Sequence, residues 1–188
     1  YTSYETPTFY KVTALWAGQA GSLLFWSFIT SLFTVIYIFE TLKKMENLKF
    51  NSYLILTFIF SFFIILSSFI ANPFEPVSSD IVVQNGNGLN PLLQNFFMAI
   101  HPPILYVGFT GCTIIFVMAM AASISKNVSF DWVRSIRRWS LIVWTFLSAG
   151  IILGGYWAYN ELGWGGYWAW DPVENSSLMP WLTLTAFI

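Results

Sequence analysis

The only histidine of the chain, His101, stands between an apolar stretch and two prolines, in the segment NPLLQNFFMAIHPPILYVGFTG at 90–111. An imidazole can bind a metal ion, and it can donate or accept a proton. Asn90 followed by Pro91 predicts a helix start, whereas Pro102 disfavours helical geometry for the residue before it. We therefore expect a short interfacial helix that ends at His101, with the next helix beginning at the prolines. A histidine that only bonds a backbone carbonyl is the alternative, and the residues alone leave both open.

A second segment, GWGGYWAWDPVEN at 163–175, crowds tryptophans and glycines together. Tryptophan collects at membrane interfaces, which is one explanation. Glycine lets a backbone or a ligand approach closely, and indole faces suit a broad flat molecule. A porphyrin, a quinone or a sugar ring would each fit, and composition does not choose among them. The candidate contact residues are Trp164, Gly165, Gly166, Trp168 and Trp170.

The acidic end of this segment, Asp171-Pro172-Val173-Glu174, predicts a helix start with a capping box. We therefore expect Asp171 and Glu174 to serve first in starting a helix and only second as ligand contacts. Asn175 follows, where its amide can reach a ligand or water.

A third segment, KVTALWAGQAGSLLFW at 11–26, places Gly18, Gln19 and Gly21 inside an apolar run. The small residues favour close helix packing. By position, this segment is a candidate for another wall of the same site.

The elements that must position these residues are membrane helices. The chain has 188 residues, of which 56% are hydrophobic and 9% charged, whereas soluble domains carry roughly 25% charged residues. Apolar segments at 23–39, 53–71, 104–122 and 139–158 are long enough to span a bilayer, and a fifth at 178–188 is cut short. The sequence predicts an all-α, polytopic transmembrane helical bundle in one membrane domain, an internal fragment of a longer protein or one piece of a split gene.

The charged residues predict the orientation of this bundle. Seven of the eight basic residues lie in two alternate loops, 40–52 and 123–138, which places those loops on the cytoplasmic or matrix side. Segments 72–100 and 159–177 carry no lysine or arginine and are expected to face outward together. The net charge of −1 gives no reason to expect nucleic acid as a partner. Cys112 lies in an apolar run and is expected to be a small buried side chain.

WGGYWAWDPVENSSLMPWL at 164–182 closely resembles the tryptophan-rich WWD signature of the haem-handling proteins of cytochrome c maturation. The DPVEN ending, the upstream NPLLQ and HPPILYVGFTG, and WAGQAGSLLFW are similar, in the same order, to the CcmF family, the haem lyase subunit. The resemblance covers nearly the whole chain. CcmC and CcsA share a WWD segment, but their surrounding sequences differ from DPVEN.

This resemblance implies a protein at the outer face of a bacterial or archaeal cytoplasmic membrane, or of the mitochondrial inner membrane. Such proteins receive haem from the chaperone CcmE and join its vinyl groups to the CxxCH cysteines of apocytochrome c, which a CcmH-type subunit handles. His101 matches one of two outer histidines implicated as axial ligands of the haem iron. The haem-edge platform would be formed by Trp164, Gly165, Gly166, Trp168, Trp170, Asp171, Glu174 and Asn175.

The family also carries a second, b-type haem between two membrane histidines, which are expected beyond Ile188. The second outer histidine is absent from this chain, and Gln19-Ala20 stands where many relatives have His-Glu. The reactive thiols would come from the client, so Cys112 is no nucleophile. CcmC-like haem delivery, a transporter for a planar substrate and a quinone-reactive cytochrome subunit are the rival functions.

Overall fold

A computed structural model describes residues 1–75, 85–163 and 166–188 of the chain. Within these ranges every regular element is helical. The α-helices are α1 Thr8–Ala17, α2 Gln19–Ile36, α3 Lys49–Ile65, α4 Phe96–Ser125, α5 Phe130–Glu161 and α6 Pro172–Phe187. Wider π-helical turns continue α2 over Tyr37–Thr41 and α3 over Leu66–Ile70.

In the part of the chain that the structure describes, four helical segments are long and apolar enough to cross a membrane: Gln19–Lys44, Glu46–Ile70, Phe96–Ser125 and Phe130–Glu161. Each contains one of the four apolar segments named above, except that 53–71 reaches one residue further. The start of the fifth apolar segment lies in α6. The predicted all-α transmembrane bundle is confirmed.

One end of the bundle gathers the basic residues. The α2–α3 and α4–α5 connections meet there, because Asn51 Nδ2 donates to Ser125 Oγ at 2.8 Å, and Ser125 Oγ donates to the Asn47 carbonyl at 3.3 Å. Arg134, Arg137 and Arg138 lie in the first turns of α5 rather than in a loop. The two basic segments therefore share one end, as the charge pattern predicts.

The opposite end joins the beginning of α4 to the end of α5. Asn95 Nδ2 donates to Glu161 Oε1 at 2.6 Å, and Trp157 Nε1 donates to the Leu92 carbonyl at 3.3 Å. The N-terminal segment reaches the same end, where the Tyr4 amide donates to Asn85 Oδ1 at 2.9 Å.

Helices α4 and α5 pack along a seam of small residues. A methyl group added at Gly111 would lie 2.1 Å from the Val143 side chain, and one added at Gly150 would lie 2.9 Å from Leu105 Cα. Small side chains let two membrane helices approach closely. The contacts repeat every three or four residues: Gly111 against Val143, Gly108 against Leu147, Leu105 against Gly150, and His101 against Gly154.

The expected helix break at His101 is wrong. Asn90 does cap a turn, but that turn is a single 3-10 turn, Pro91–Leu93. Helix α4 then begins at Phe96 and continues through Pro102 and Pro103. The prolines only remove the amide donors that would bond two carbonyls in the first turn, a loss that membrane helices tolerate. A helix that stopped at His101 would lose the first turn of the α4–α5 seam.

Candidate functional site

His101 is held between α4 and α5 by two neighbours. Its imidazole stacks on the indole of Trp157, with ring centroids 5.5 Å apart and an angle of 22° between the planes. A methyl group added at Gly154 would lie 3.1 Å from His101 Nδ1. That nitrogen is buried and has no hydrogen-bond partner among the described residues. Since Gly154 and Trp157 are three residues apart on α5, one helical turn of α5 fixes the ring.

Two cavities flank His101. The first, of about 100 Å³, lies between α4, α5 and α6, beneath the segment that joins α5 to α6. The second, of about 440 Å³, also reaches α2. The second volume is within the range of roughly 300–1,000 Å³ that is usual for small-molecule sites, whereas the first is smaller. Both cavities are lined by His101, Leu105, Trp157 and Val173.

The two cavities differ in their other walls. The first adds Trp168, Asp171 and Glu174, together with residues of α5 and Ser177. The second adds Trp26 of α2 and Ser176 of α6, with Met98, Pro102, Tyr106 and Phe109 of α4. Trp26 belongs to the third segment of the sequence, which therefore does supply a wall beside His101.

The tryptophan-rich segment folds back over the end of α5. Tyr167 stacks on Tyr159 with ring centroids 4.4 Å apart, and its carbonyl oxygen would lie 3.0 Å from a methyl group at Gly155. Trp168 lines the first cavity and also a groove between α5 and α6, and the exposed Trp170 lines the same groove. Trp164 and Gly165 lie outside the described residues.

Gly166 lines neither cavity. Among the described residues, the nearest atom to a methyl group added there is the Trp168 carbonyl oxygen, at 4.0 Å. The described part of the chain therefore leaves space beside this glycine.

The acidic end forms the predicted capping box. Asp171 Oδ1 accepts from the Glu174 amide at 2.7 Å, and Glu174 Oε2 accepts from the amides of Asp171 at 3.4 Å and Ala169 at 2.8 Å. Both side chains also line the first cavity. In this structure the two side chains cap the first turn of α6. A contact of either one with a ligand stays a prediction.

Asn175 supports the turn before α6 instead of lining a cavity. Its Nδ2 donates to the Trp170 carbonyl at 3.0 Å. Trp170 has a φ of 60°, which is unfavourable for a side chain of this size. The Asn175 amide thus helps to hold the strained turn in which the Trp168 and Trp170 rings meet edge to face, with centroids 6.1 Å apart.

The indole N–H groups of four tryptophans near α5 and the cavities differ in whether they have a hydrogen-bond partner. On the α5–α6 face, Trp144 Nε1 donates to Thr185 Oγ1 at 2.8 Å and Trp181 Nε1 to Ser148 Oγ at 2.7 Å. Trp26 and Trp168, which line the cavities, have buried Nε1 atoms with no partner among the described residues. A buried donor without a partner costs roughly 1–3 kcal/mol. Trp16, which lines neither cavity, also has a buried Nε1 with no partner among the described residues.

Sequence reasoning did not assign Gly154 or Trp157 to the site, and it proposed the segment of Trp26 as a wall without naming that residue. Gly150 and Gly154 form a small-xxx-small pattern on α5, which marks close helix contact. That pattern predicts that something on the facing helix approaches α5 there, but it does not identify His101 as the group.

Comparison with known proteins agrees with these motifs. A family model described as Cytochrome C assembly protein matches residues 16–188. The chain is 44% identical to the cytochrome c-type biogenesis protein CycK of Rhizobium meliloti, over 97% of this chain and 27% of that protein. It is 43% identical to the biogenesis protein NrfE of Haemophilus influenzae, over 97% and 28%. It is 38% identical to the biogenesis protein CcmF of Escherichia coli, over 98% and 28%.

The chain spans little more than a quarter of the length of the curated relatives it matches. No solved structure matches it. The family match extends from the third segment through the histidine to the tryptophan-rich segment, and so includes every wall of the two cavities described above. This chain belongs to the cytochrome c assembly protein family and is a CcmF-like member of it.

Proposed function

We propose that this chain forms the haem-binding part of a protein that attaches haem covalently to apocytochrome c. His101 is the axial ligand of the haem iron, and the tryptophan-rich segment is the platform beside the porphyrin. The observation that carries this proposal is the place of His101, which borders two cavities and rests on Trp157 and Gly154.

The imidazole geometry suits iron ligation through one nitrogen. Nδ1 is enclosed against Gly154, which leaves Nε2 as the nitrogen that can reach a ligand. Neutral imidazole is a common iron ligand in haem proteins. Stacking on Trp157 restricts rotation of the ring, so the direction of the bond to iron is set by α5.

The cavity walls suit a large, flat and mostly apolar molecule that has polar edges. Aromatic and aliphatic side chains dominate the walls of both cavities. The Nε1 groups of Trp26 and Trp168, which have no partner among the described residues, can donate to oxygen atoms at the edge of such a molecule. In the tryptophan platform, Trp164, Gly165, Gly166 and Trp170 would continue this contact toward the surface.

The chain's contribution to the reaction is positioning. Thioether formation adds the S–H of a client cysteine across a haem vinyl group, forming a C–S bond and a C–H bond with no leaving group. Holding the vinyl group in a fixed direction reduces the entropy cost of this step. The site faces the outer side of the membrane, where CcmE delivers haem and a CcmH-type subunit presents the CxxCH motif. A second b-type haem binds elsewhere in the full-length protein.

Replacement of His101 in the full-length protein tests the proposal. His101→Ala is expected to abolish cytochrome c maturation and to change the absorption bands of bound haem. Added imidazole should restore the bands by filling the space left by the ring, which a purely structural histidine would not permit. Gln94→Ala is the matched control, because Gln94 precedes α4 and its side chain donates to the Leu89 carbonyl, its one side-chain bond within the described residues. Normal haem bands and normal maturation in His101→Ala would contradict the proposal.

A further inference from the structure

Asn95 makes three hydrogen bonds at the junction of α4 and α5. Its Oδ1 accepts from the amides of Phe97 at 2.7 Å and Met98 at 3.4 Å, which caps α4. Its Nδ2 donates to Glu161 Oε1 at 2.6 Å. One amide side chain therefore starts α4 and ties that start to the last residue of α5. Both side chains are half-buried.

Glu161 is poorly placed for the stability of its own helix. It is the last residue of α5, where the partial negative charge of the helix end disfavours a carboxylate. Stability of α5 alone does not explain a glutamate there, whereas the bond to Asn95 does.

The Asn95–Glu161 bond lies close to the two residues that face each other across the seam. His101 follows Asn95 by six residues, about 9 Å along the axis of α4. Trp157 precedes Glu161 by one turn of α5. A shift of α4 along α5 would move the imidazole off the indole, and it would also move Nδ1 away from Gly154. The Trp157 bond to the Leu92 carbonyl resists the same shift, but at 3.3 Å it is long.

We propose that Asn95 and Glu161 are positioning residues that set the height of the His101 imidazole against Trp157 through the hydrogen bond between them. This inference rests on the proposed function, because its consequence is measured on haem ligation. Neither residue lines the two cavities, so neither is assigned a contact with the haem.

Exchanging the amide of Asn95 and the carboxylate of Glu161 tests the pair in the full-length protein. Asn95→Asp keeps an oxygen that caps α4 but removes the donor and places two carboxylates together. Glu161→Gln alone keeps an acceptor for Asn95 Nδ2 and should behave like the unmodified protein. In the double variant, the amide introduced on α5 can donate to the carboxylate introduced before α4, so the bond re-forms with its direction reversed.

Asn95→Asp is expected to shift the haem absorption bands and to weaken haem binding about tenfold or more, since displacements near 1 Å are costly in such sites. The double variant should restore both. In haem-free protein, amide hydrogen exchange over Phe96–His101 should quicken in Asn95→Asp and slow again in the double variant. Unchanged bands in Asn95→Asp, or no recovery in the double variant, would overturn the inference.

Two further variants keep the test decisive. If Asn95→Asp does not accumulate in the membrane, Glu161→Ala replaces it, because this variant removes the acceptor and leaves the α4 cap intact. Glu161→Ala should show the same shift of the haem bands. Unchanged bands in Glu161→Ala would overturn the inference. His101→Ala separates the two proposals. Loss of ligation in His101→Ala with normal ligation in Asn95→Asp overturns only the positioning role, whereas normal ligation in His101→Ala overturns the proposed function itself.

Discussion

The imidazole of His101 and the indole of Trp157 stack at a centroid distance of 5.5 Å, although they belong to different helices. Through this stack, the α5 turn that also carries Gly154 contacts the residue proposed to bind iron. Trp157 is fixed in turn by its Nε1 bond to the Leu92 carbonyl. The orientation of the histidine ring is therefore a property of the α4–α5 pair and not of α4 alone.

Removing the indole should disturb haem ligation without unfolding the bundle. Trp157→Leu abolishes the stack and the bond to Leu92, so we expect altered haem bands and weaker binding in the full-length protein. Trp157→Phe keeps an aromatic face and should have a smaller effect. Trp144→Leu is the matched control on the same helix, because Trp144 stacks on Trp181 and bonds Thr185, away from the histidine. Equal effects at the two positions would show that Trp157 has no special role.

Two substitutions in the capping box distinguish the role of the helix cap from the role of the carboxylate charge at the start of α6. Asp171→Ala removes the side chain that caps the Glu174 amide, at a cost of about 1 kcal/mol, and fraying should move Val173 and Glu174 out of the cavity wall. Glu174→Gln keeps a capping box, since glutamine also serves at this position. We expect haem binding to fall in Asp171→Ala and to persist in Glu174→Gln, as measured by haem titration. A large loss in Glu174→Gln would instead indicate a direct role of the carboxylate charge.

Single cysteines at the two ends of the bundle test the orientation. Tyr4 is 81% exposed at the tryptophan-rich end and Val128 is 63% exposed at the basic end. In a Cys112→Ala background, we expect a membrane-impermeant maleimide to label Tyr4→Cys in intact cells and Val128→Cys only after permeabilisation. Tyr4 bonds Asn85 through its backbone amide, so the substitution keeps that bond. The opposite pattern would place the site on the inner side.

Much of this architecture follows from composition and local pattern. Long uncharged segments predict the helices, and the alternation of basic loops predicts that Lys43 and Lys126 lie at the same end of the bundle. The capping box at Asp171 is confirmed because its three-residue spacing is itself the geometry of the motif.

The path of the chain around His101 was not predictable in the same way. The residue before a proline disfavours helical geometry. This local preference competes with the favourable packing of a whole helix. At Pro102 the packing of α4 on α5 prevails, and the helix continues. The contacts with Gly154 and Trp157 depend on the register between α4 and α5, which no local pattern contains. The tryptophan-rich segment predicts an aromatic surface, but not that Trp168 lines both the first cavity and the groove between α5 and α6, where it meets Trp170.

The α4–α5 seam predicts a compensating pair of substitutions that needs no haem. A methyl group at Gly111 would lie 2.1 Å from Val143 Cγ2 and 3.2 Å from its Cβ, in a place where both helices are tightly packed. Gly111→Ala should therefore destabilise the bundle by about 1–3 kcal/mol through overpacking. Val143→Ala removes the obstructing methyl groups, so the double variant should be more stable than the sum of the single effects predicts. Thermal unfolding in detergent measures all four proteins. Strictly additive effects would show that the helices can move apart at Gly111, and that the seam does not fix the register that brings His101 to Trp157.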